Sequence, residues 1–185
     1  MEEEELIEAA RKDPEAFGVL FDLYHPKILA YLIHRTGELA LAQDLAAETF
    51  FKALSKLWQF RWRSVSFSAW LYRIATNELR MHFRGKKKLC SLEAMMENTG
   101  FDLKDSADLE EELRLAEEVL ERHEEFLRVQ KQIQTLPLLY QEVIALRFFE
   151  EKSVKEIASI LNKREGTVKS LLSRGLEKLR ALQPF

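Results

Sequence analysis

Apolar residues recur at intervals of three and four along most of the chain, a spacing that predicts helices almost throughout. Phe17, Leu20, Phe21, Tyr24, Ile28, Tyr31 and Leu32 define one such face. Asp13-Pro14 supplies its start, because Asp accepts from free first-turn amides and Pro at the first helical position gives up no needed donor. Gly37 breaks the pattern, and a second helix carries Leu41, Leu45, Phe50, Leu54, Leu57 and Trp58. A third is predicted from Ser68 to Phe83.

The character changes over residues 85–107, where Gly85, three lysines, Cys90-Ser91, Asn98-Thr99-Gly100 and Asp105-Ser106 read as a linker. Helical pattern resumes at Asp108, an N-cap with Glu111 three residues on, followed by Glu110/Arg114, Glu118/Arg122 and Glu124/Arg128 pairs. The apolar side of that helix either lines a partner groove or packs on its own protein. Residues 123–185 then predict a compact helical unit. Leu136-Pro137 opens a helix bearing Val143, Ile144, Leu146 and Phe148, and Ser153 to Glu156 is a capping box for the next. After Asn162 a final helix from about Glu165 places Val168, Leu172, Leu176 and Leu179 on one stripe. Small Ala158 allows the last two helices to approach, and Ser170, Ser173 and Arg174 lie opposite the stripe. This is helix-turn-helix spacing, which serves either to read DNA or to close a core.

Composition sets the bounds. A chain of 185 residues that is 46% hydrophobic can build one ordinary domain or two small ones. Its acidic start is unlike a signal peptide and no uninterrupted apolar run reaches the ~20 residues of a membrane span, so a cytoplasmic protein without membrane insertion is expected. One cysteine, Cys90, excludes an internal disulfide, although it remains a candidate redox handle; the four histidines have no ligand spacing, so no metal or cofactor is expected. No phosphate-binding loop of the Walker type and no visible set of nucleophile, base and orienter points to an enzyme.

Charge changes the picture more. The net charge of -3 is distributed as about -5 over residues 1–60, +7 over 61–90, -9 over 91–130 and +4 over 131–185. Two basic blocks flank an acidic one, which predicts two surfaces facing a polyanion unless each run is a solvated helix face. In the first basic block Phe60, Trp62, Phe67, Trp70, Tyr72 and Phe83 alternate with Arg61, Arg63, Arg73, Arg80, Arg84, Lys86, Lys87 and Lys88. Cations that follow phosphates beside rings that carry unstacked bases suit single-stranded nucleic acid. Trp70, Leu71 and Ile74 fall at core spacing, whereas the Ser/Arg-rich turn from Gln59 to Phe67 is too polar to be buried. Arg61, Trp62 and Arg63 are therefore expected to receive an extruded base, with Asn77, Arg80, Arg84 and the three lysines on the backbone.

Four ordered stretches, "DPEAFGVLFDLYHPKILAYL", "AQDLAAETFFKAL", "FSAWLYRIATNELRMHFR" and "QEVIALRFFEEKSVKEIASILNKREGTVKSLLSRGLEKLR", together resemble a bacterial RNA polymerase sigma factor of the extracytoplasmic-function (ECF) class. The resemblance covers nearly the whole chain. It implies an all-α protein of two small helical domains joined by an acidic linker, the C-terminal domain a helix-turn-helix. Residues 1–90 would bind core polymerase and open the minus-ten element, 91–122 would form the linker, and 123–185 would read the minus-thirty-five element. Asp44, Glu48, Phe50, Phe51 and neighbouring Lys52 match the polymerase-binding stretch; Trp70, Leu71, Tyr72, Asn77 and Arg84 match the strand-opening helix. Gly166, Thr167, Val168, Lys169, Ser170 and Arg174 match the recognition helix, with Lys163, Arg164, Ser173 and Lys178 beside it.

Three positions depart from the family pattern: Ala47 where Gln is common, Met81 where Asp is common, and Leu171 where Arg is usual. The resemblance implies that the last weakens upstream binding or shifts its specificity. The implied partners are core RNA polymerase, promoter DNA and an anti-sigma factor, and the free protein is expected to be a monomer. Two other functions fit parts of the chain: a helix-turn-helix regulator acting as a free dimer, and a helical adaptor that binds through its acidic helix. The adaptor leaves both basic blocks without a role, and the regulator predicts dimerisation and tight promoter binding by the free protein.

Overall fold

The computed structural model describes residues 3–61, 65–89 and 127–182, with side chains up to residue 85 in the second span, and every regular element among them is helical. The N-terminal half consists of α1 (Glu3–Lys12), α2 (Phe17–Thr36), α3 (Leu39–Lys56) and α4 (Phe67–Leu89). Short 3-10 turns at Pro14–Ala16 and Leu57–Gln59 join them where the chain changes direction. Asp13 begins the first turn as expected, its carboxylate accepting from the Glu15 amide at 3.0 Å with Pro14 next in line. Helix α1 has too sparse an apolar pattern to be anticipated; it buries Ile7 and Ala10 against the rest.

Helix α2 is the central element. Leu20, Ile28, Tyr31 and Leu32 are completely buried, and α1, α3 and α4 all pack on it. It is the one described helix long and apolar enough to cross a membrane, but its apolar side is filled by the protein's own core. Helix α3 approaches closely because its inner side is built from Ala42, Ala46 and Ala53, together with Leu45, Thr49 and Phe50. The Thr49 hydroxyl spends its donor on the Leu45 carbonyl at 2.7 Å, so the helix buries no unsatisfied group there. Two members of the predicted apolar face point outward instead: Trp58 is 66% exposed and Leu54 is exposed too. Gly37 ends α2 with φ of 70°, where a side chain would be strained and a Cβ would sit 3.2 Å from Gln134 Nε2.

Helix α4 runs to Leu89, beyond the expected end at Phe83, and Gly85 is tolerated within it. The expected linker therefore begins inside a helix. Cys90, the rest of the linker and the acidic helix from Asp108, with its carboxylate and arginine pairs, lie outside the described residues.

The C-terminal half contains a helix over residues 127–134 (α5), α6 (Leu138–Ile144), a π-helical turn at Ala145–Phe149, α7 (Val154–Leu161) and α8 (Glu165–Ala181). Val143, Ile144, Leu146, Ile157 and Val168 form its interior. The capping box is present: the Ser153 hydroxyl accepts from the Glu156 amide at 3.2 Å, and Glu156 accepts from the Ser153 amide at 2.8 Å. Asn162 ends α7 in the left-handed region and turns the chain into α8. Helices α6 and α8 cross at Gly175, where a Cβ would come within 3.0 Å of Ile144 Cδ1 and 3.4 Å of Tyr140.

Ser153→Ala should cost about 1 kcal/mol of stability, read as a lower urea midpoint at unchanged slope. The Ser153 hydroxyl and amide hold the Glu156 carboxyl below the usual carboxylate range. A depressed folded pKa adds stability above the unfolded value and loses it as pH falls toward the folded one, so the cost of Ser153→Ala should shrink in acid.

The two helical domains pack against each other. A single apolar core is continuous from α2 and α4 into α6 and α7. Across the seam Arg80 grips Glu142 in a bidentate pair, Nε to Oε1 at 2.7 Å and Nη2 to Oε2 at 2.6 Å. The Tyr72 hydroxyl donates to Glu150 Oε2 at 2.7 Å, and the Arg73 guanidinium donates to the Ser159 carbonyl. Gln130 Nε2 caps the end of α2 by donating to the carbonyls of Ile33 and His34, at 2.9 and 3.0 Å.

Candidate nucleic-acid and polymerase interfaces

Helix α8 follows the Asn162 turn with its apolar stripe inward, so its remaining side is free of the core. Thr167, Lys169, Ser170, Ser173, Arg174 and Lys178 are all exposed; Arg164 is exposed at the N-cap and Lys163 is half-buried in the turn. Spacings of three and four place Thr167, Ser170, Ser173 and Arg174 along one side of the helix. Leu171 is half-buried and packed against the core, so the residue at this departure position serves packing. An arginine there would have to leave the core before reaching DNA.

In α4, Asn77 and Arg84 are exposed and Arg80 lies between them, half-buried by its bond to Glu142. The Arg80 guanidinium is held more firmly protonated than usual by hydrogen bonds to Glu142, against a smaller opposing effect of burial. These residues line a cavity of about 430 Å³ between α3 and α4, along with Lys52, Lys56, Ile74 and Met81. Lys52 bonds Glu78 at 2.5 Å and Glu48 at 3.0 Å, and these hydrogen bonds raise its pKa. Lys56 and Arg84 are exposed at the cavity rim. Met81, in the second departure position, adds an apolar side chain that is 60% exposed.

Tyr72 does not share that surface. It is 1% exposed, packs edge-on against Tyr31 with centroids 5.3 Å apart, and uses its hydroxyl on Glu150. Burial and this carboxylate raise its pKa well above the usual value. Its assignment to DNA contact is corrected accordingly: in the packed arrangement it is a seam residue. Trp70 is half-buried against Phe60 and Phe67, with centroids 5.2 and 5.6 Å away. Arg61 is exposed and donates to the Trp58 carbonyl at 2.8 Å. Trp62 and Arg63, and the side chains of Lys86, Lys87 and Lys88, lie outside the described residues.

On α3 the outward side carries Asp44, Ala47, Glu48 and Phe51, the last 67% exposed. Phe50 belongs on the opposite side. It is 4% exposed and edge-packed on Phe17 and Phe21, so it is corrected from a docking residue to a core residue. Consecutive helical positions are about 100° apart, and only one of two adjacent phenylalanines can face outward. Sequence reasoning missed Leu54 and Trp58 on this surface. Phe51 and Leu54 stand at i and i+3 on the solvent side of α3, whose other side is already buried, and exposed Trp58 follows in the 3-10 turn after it.

Family models match both halves: Sigma-70 region 2 over residues 20–89 and Sigma-70 region 4 over residues 126–179. The chain is 35% identical over 168 residues to the ECF RNA polymerase sigma factor SigW of Bacillus subtilis, spanning 91% of this chain and 89% of that one. It is 34% identical over 188 residues to the RNA polymerase sigma-H factor of Pseudomonas aeruginosa, covering 100% of this chain and 95% of the other. It is 32% identical over 181 residues to the ECF sigma factor BldN of Streptomyces coelicolor, covering 97% of this chain but only 65% of BldN. Among solved structures, the sigma factor RpoE of Bartonella quintana in complex with the anti-sigma factor NepR superposes with a TM-score of 0.64 at 26% identity, covering 90% of this chain and 95% of that one. CnrH in complex with the cytosolic domain of CnrY shares the fold, with a TM-score of 0.66 at 24% identity and coverage of 96% and 94%. The all-helical fold and these similarities define a transcription initiation factor. The chain belongs to the ECF RNA polymerase sigma factors. Membership displaces both the free dimeric regulator and the adaptor.

Proposed function

We propose that the protein binds core RNA polymerase through α3, opens the minus-ten element with α4 and the turn before it, and reads the minus-thirty-five element with α8. Domain limits of 1–90 and 123–185, with an acidic connection over 91–122, follow the same division. The observation that carries the reading is the outward side of α8, where hydroxyls and the cations Lys169, Arg174 and Lys178 stand clear of the core directly after a helix-turn-helix bend. A helix so presented can enter the major groove, with Arg or Lys on guanine edges or phosphates and Ser or Thr on either.

On α4 the basic cavity offers sites for phosphates, while the exposed turn carrying Arg61 supports capture of an extruded base. Strand opening then draws its energy from binding, with no chemistry performed by the protein itself. RNA polymerase is a cytoplasmic enzyme in bacteria, which supports a cytoplasmic location for this protein. The Bartonella relative was solved with an anti-sigma factor, and a partner of that kind is proposed for this chain, which acts as a monomer.

Run-off transcription with purified core enzyme tests the function: a promoter-specific transcript that requires both components supports it, and its absence rejects it. The helix assignment has a separate check. Lys169→Ala and Arg174→Ala should each weaken binding to a minus-thirty-five fragment. Loss at a phosphate contact should be uniform across sequences and lower the salt dependence by about one ion, whereas loss at a base contact should cost about 1–3 kcal/mol and relax one position. Salt titrations of fluorescence anisotropy on matched and mutated fragments distinguish the two, and unchanged affinity in both variants would exclude α8 as the reading helix.

A further inference from the structure

A second cavity, of about 550 Å³, opens where the end of α2, the last turns of α4 and the start of the C-terminal half meet. Its walls are Arg35, Thr36, Phe83, Arg84, Leu138 and Gln141, with Gln134 at one side. Arg35 has no role in the polymerase and DNA assignments above. The residue is 2% exposed, its Nη1 donates to the Tyr31 hydroxyl at 3.1 Å, and its guanidinium carbon lies 5.9 Å from the Tyr31 ring centroid. Its Nε and Nη2 are buried with no hydrogen-bond partner among the described residues.

Those two nitrogens carry the parallel N–H groups on one edge of the guanidinium plane. This is the edge on which a carboxylate or phosphate docks side-on through two bonds. Tyr31 fixes the plane from the other side, and Tyr31 is itself held 3.0 Å from Thr76 Oγ1, so the fork is oriented before any ligand arrives. Glu142 spends its two oxygens on Arg80, and among the described residues no hydrogen bond joins it to Arg35. A buried cation with two unused donors is costly, and an oxyanion is the partner that removes the cost.

We propose that this cavity is a binding site for a small phosphate monoester carried on a flat apolar ring. Arg35, which lines the cavity, receives the phosphate on its open edge. Arg84, exposed at the rim, supplies the second positive charge that matches a dianion better than a monoanionic carboxylate. Phe83 and Leu138 provide apolar surfaces for the ring. Gln141 has its Nε2 committed to the carbonyls of Gln134 and Leu136, at 2.9 and 2.7 Å, which leaves its side-chain oxygen to accept from a ring amino group. The volume lies within the usual range of small-molecule sites, roughly 300–1,000 Å³. Because both halves of the protein contribute walls, a ligand held here favours their packed arrangement, and by reciprocity whatever parts the halves expels it.

The test uses the full chain and four probes: inorganic phosphate, adenosine monophosphate, adenosine and benzoate. Titration calorimetry should show one saturable site for adenosine monophosphate, weaker binding of inorganic phosphate and none of adenosine. Arg35→Met should lose at least tenfold in affinity for adenosine monophosphate. Arg35→Lys keeps the charge but not the fork and should lose about as much. The side-chain Nε–H resonance of Arg35 should shift on titration in the parent protein. Arg35→Met should also raise Tm without ligand, because it removes the unpaired buried cation, and should no longer respond to ligand, whereas the parent Tm should rise with it. Should Arg35→Met fail to fold, Arg35→Lys, with circular dichroism matching the parent, decides the question alone. Equal affinity in parent and Lys variant, absence of any saturable binding, or tighter binding of benzoate than of adenosine monophosphate would each overturn the proposal.

Discussion

Arg80→Ala is expected to open the seam between the two halves. Glu142 is completely buried, and Arg80 occupies both of its carboxylate oxygens. Removing one member of a buried pair strands the other charge at a cost of about 3–5 kcal/mol, more than the pair itself contributes over well-packed apolar side chains. The protein has an escape from that penalty: separating the halves rehydrates Glu142. The loss should therefore appear as a wider scattering profile and faster amide exchange over α6 and α7, while α2 and α3 keep their protection. The reverse substitution behaves differently. Glu142→Ala leaves Arg80 half-exposed and able to reach water, so it should open the seam less and should raise binding of minus-ten single strand by the free protein, because Arg80 is released. Replacing both residues together with Met and Leu should restore the packed arrangement without restoring the charges. An unchanged scattering profile for Arg80→Ala would mean that the pair does not hold the seam.

The seam also marks where sequence reasoning stops. Helix periodicity located α2, α3 and the helix-turn-helix, because each has an unbroken apolar side and its own start and stop signals at Asp13-Pro14, Gly37, Ser153 and Asn162. Helix α1 was not visible, since Leu6, Ile7 and Ala10 are too few to establish a period beside a run of glutamates. Gly85 suggested an end to α4, yet one glycine costs a helix only about 1 kcal/mol, and α4 continues through it. Arg73, Arg80 and Tyr72 looked like a nucleic-acid surface because their chemistry fits one. In the packed protein the same groups meet Glu142, Glu150 and the Ser159 carbonyl. Carboxylates can occupy the positions that phosphates would, and nothing within α4 itself distinguishes the two occupants. Gly175 had a signal that could have been followed: a glycine inside a helix otherwise well patterned points to a close crossing, here with α6.

Charge reversal at Asp44 combined with truncation of Phe51 should abolish co-purification with core polymerase. The surface of α3 and the turn after it combine what a stable interface needs: the exposed apolar side chains Phe51, Leu54 and Trp58 beside the exposed carboxylates Asp44 and Glu48. A buried aromatic anchor removed by truncation typically costs 2 kcal/mol or more, and a reversed charge facing a complementary one costs a similar amount, so about 4 kcal/mol, near a thousandfold in affinity, is expected for the pair. Neither substitution should disturb the fold, since both side chains lie outside the core that Ala46, Thr49 and Phe50 help to fill on the other side of the helix. Phe50→Ala provides the contrast. It should lower stability by about 3–5 kcal/mol through the cavity left beside Phe17 and Phe21, and should impair polymerase binding only as far as the protein unfolds. Trp58→Ala, at unchanged circular dichroism, should reproduce much of the Phe51 effect, because the surface loses its widest member. Undiminished co-purification of the Asp44→Arg/Phe51→Ala protein with core enzyme would show that the outward surface of α3 is not where the polymerase binds.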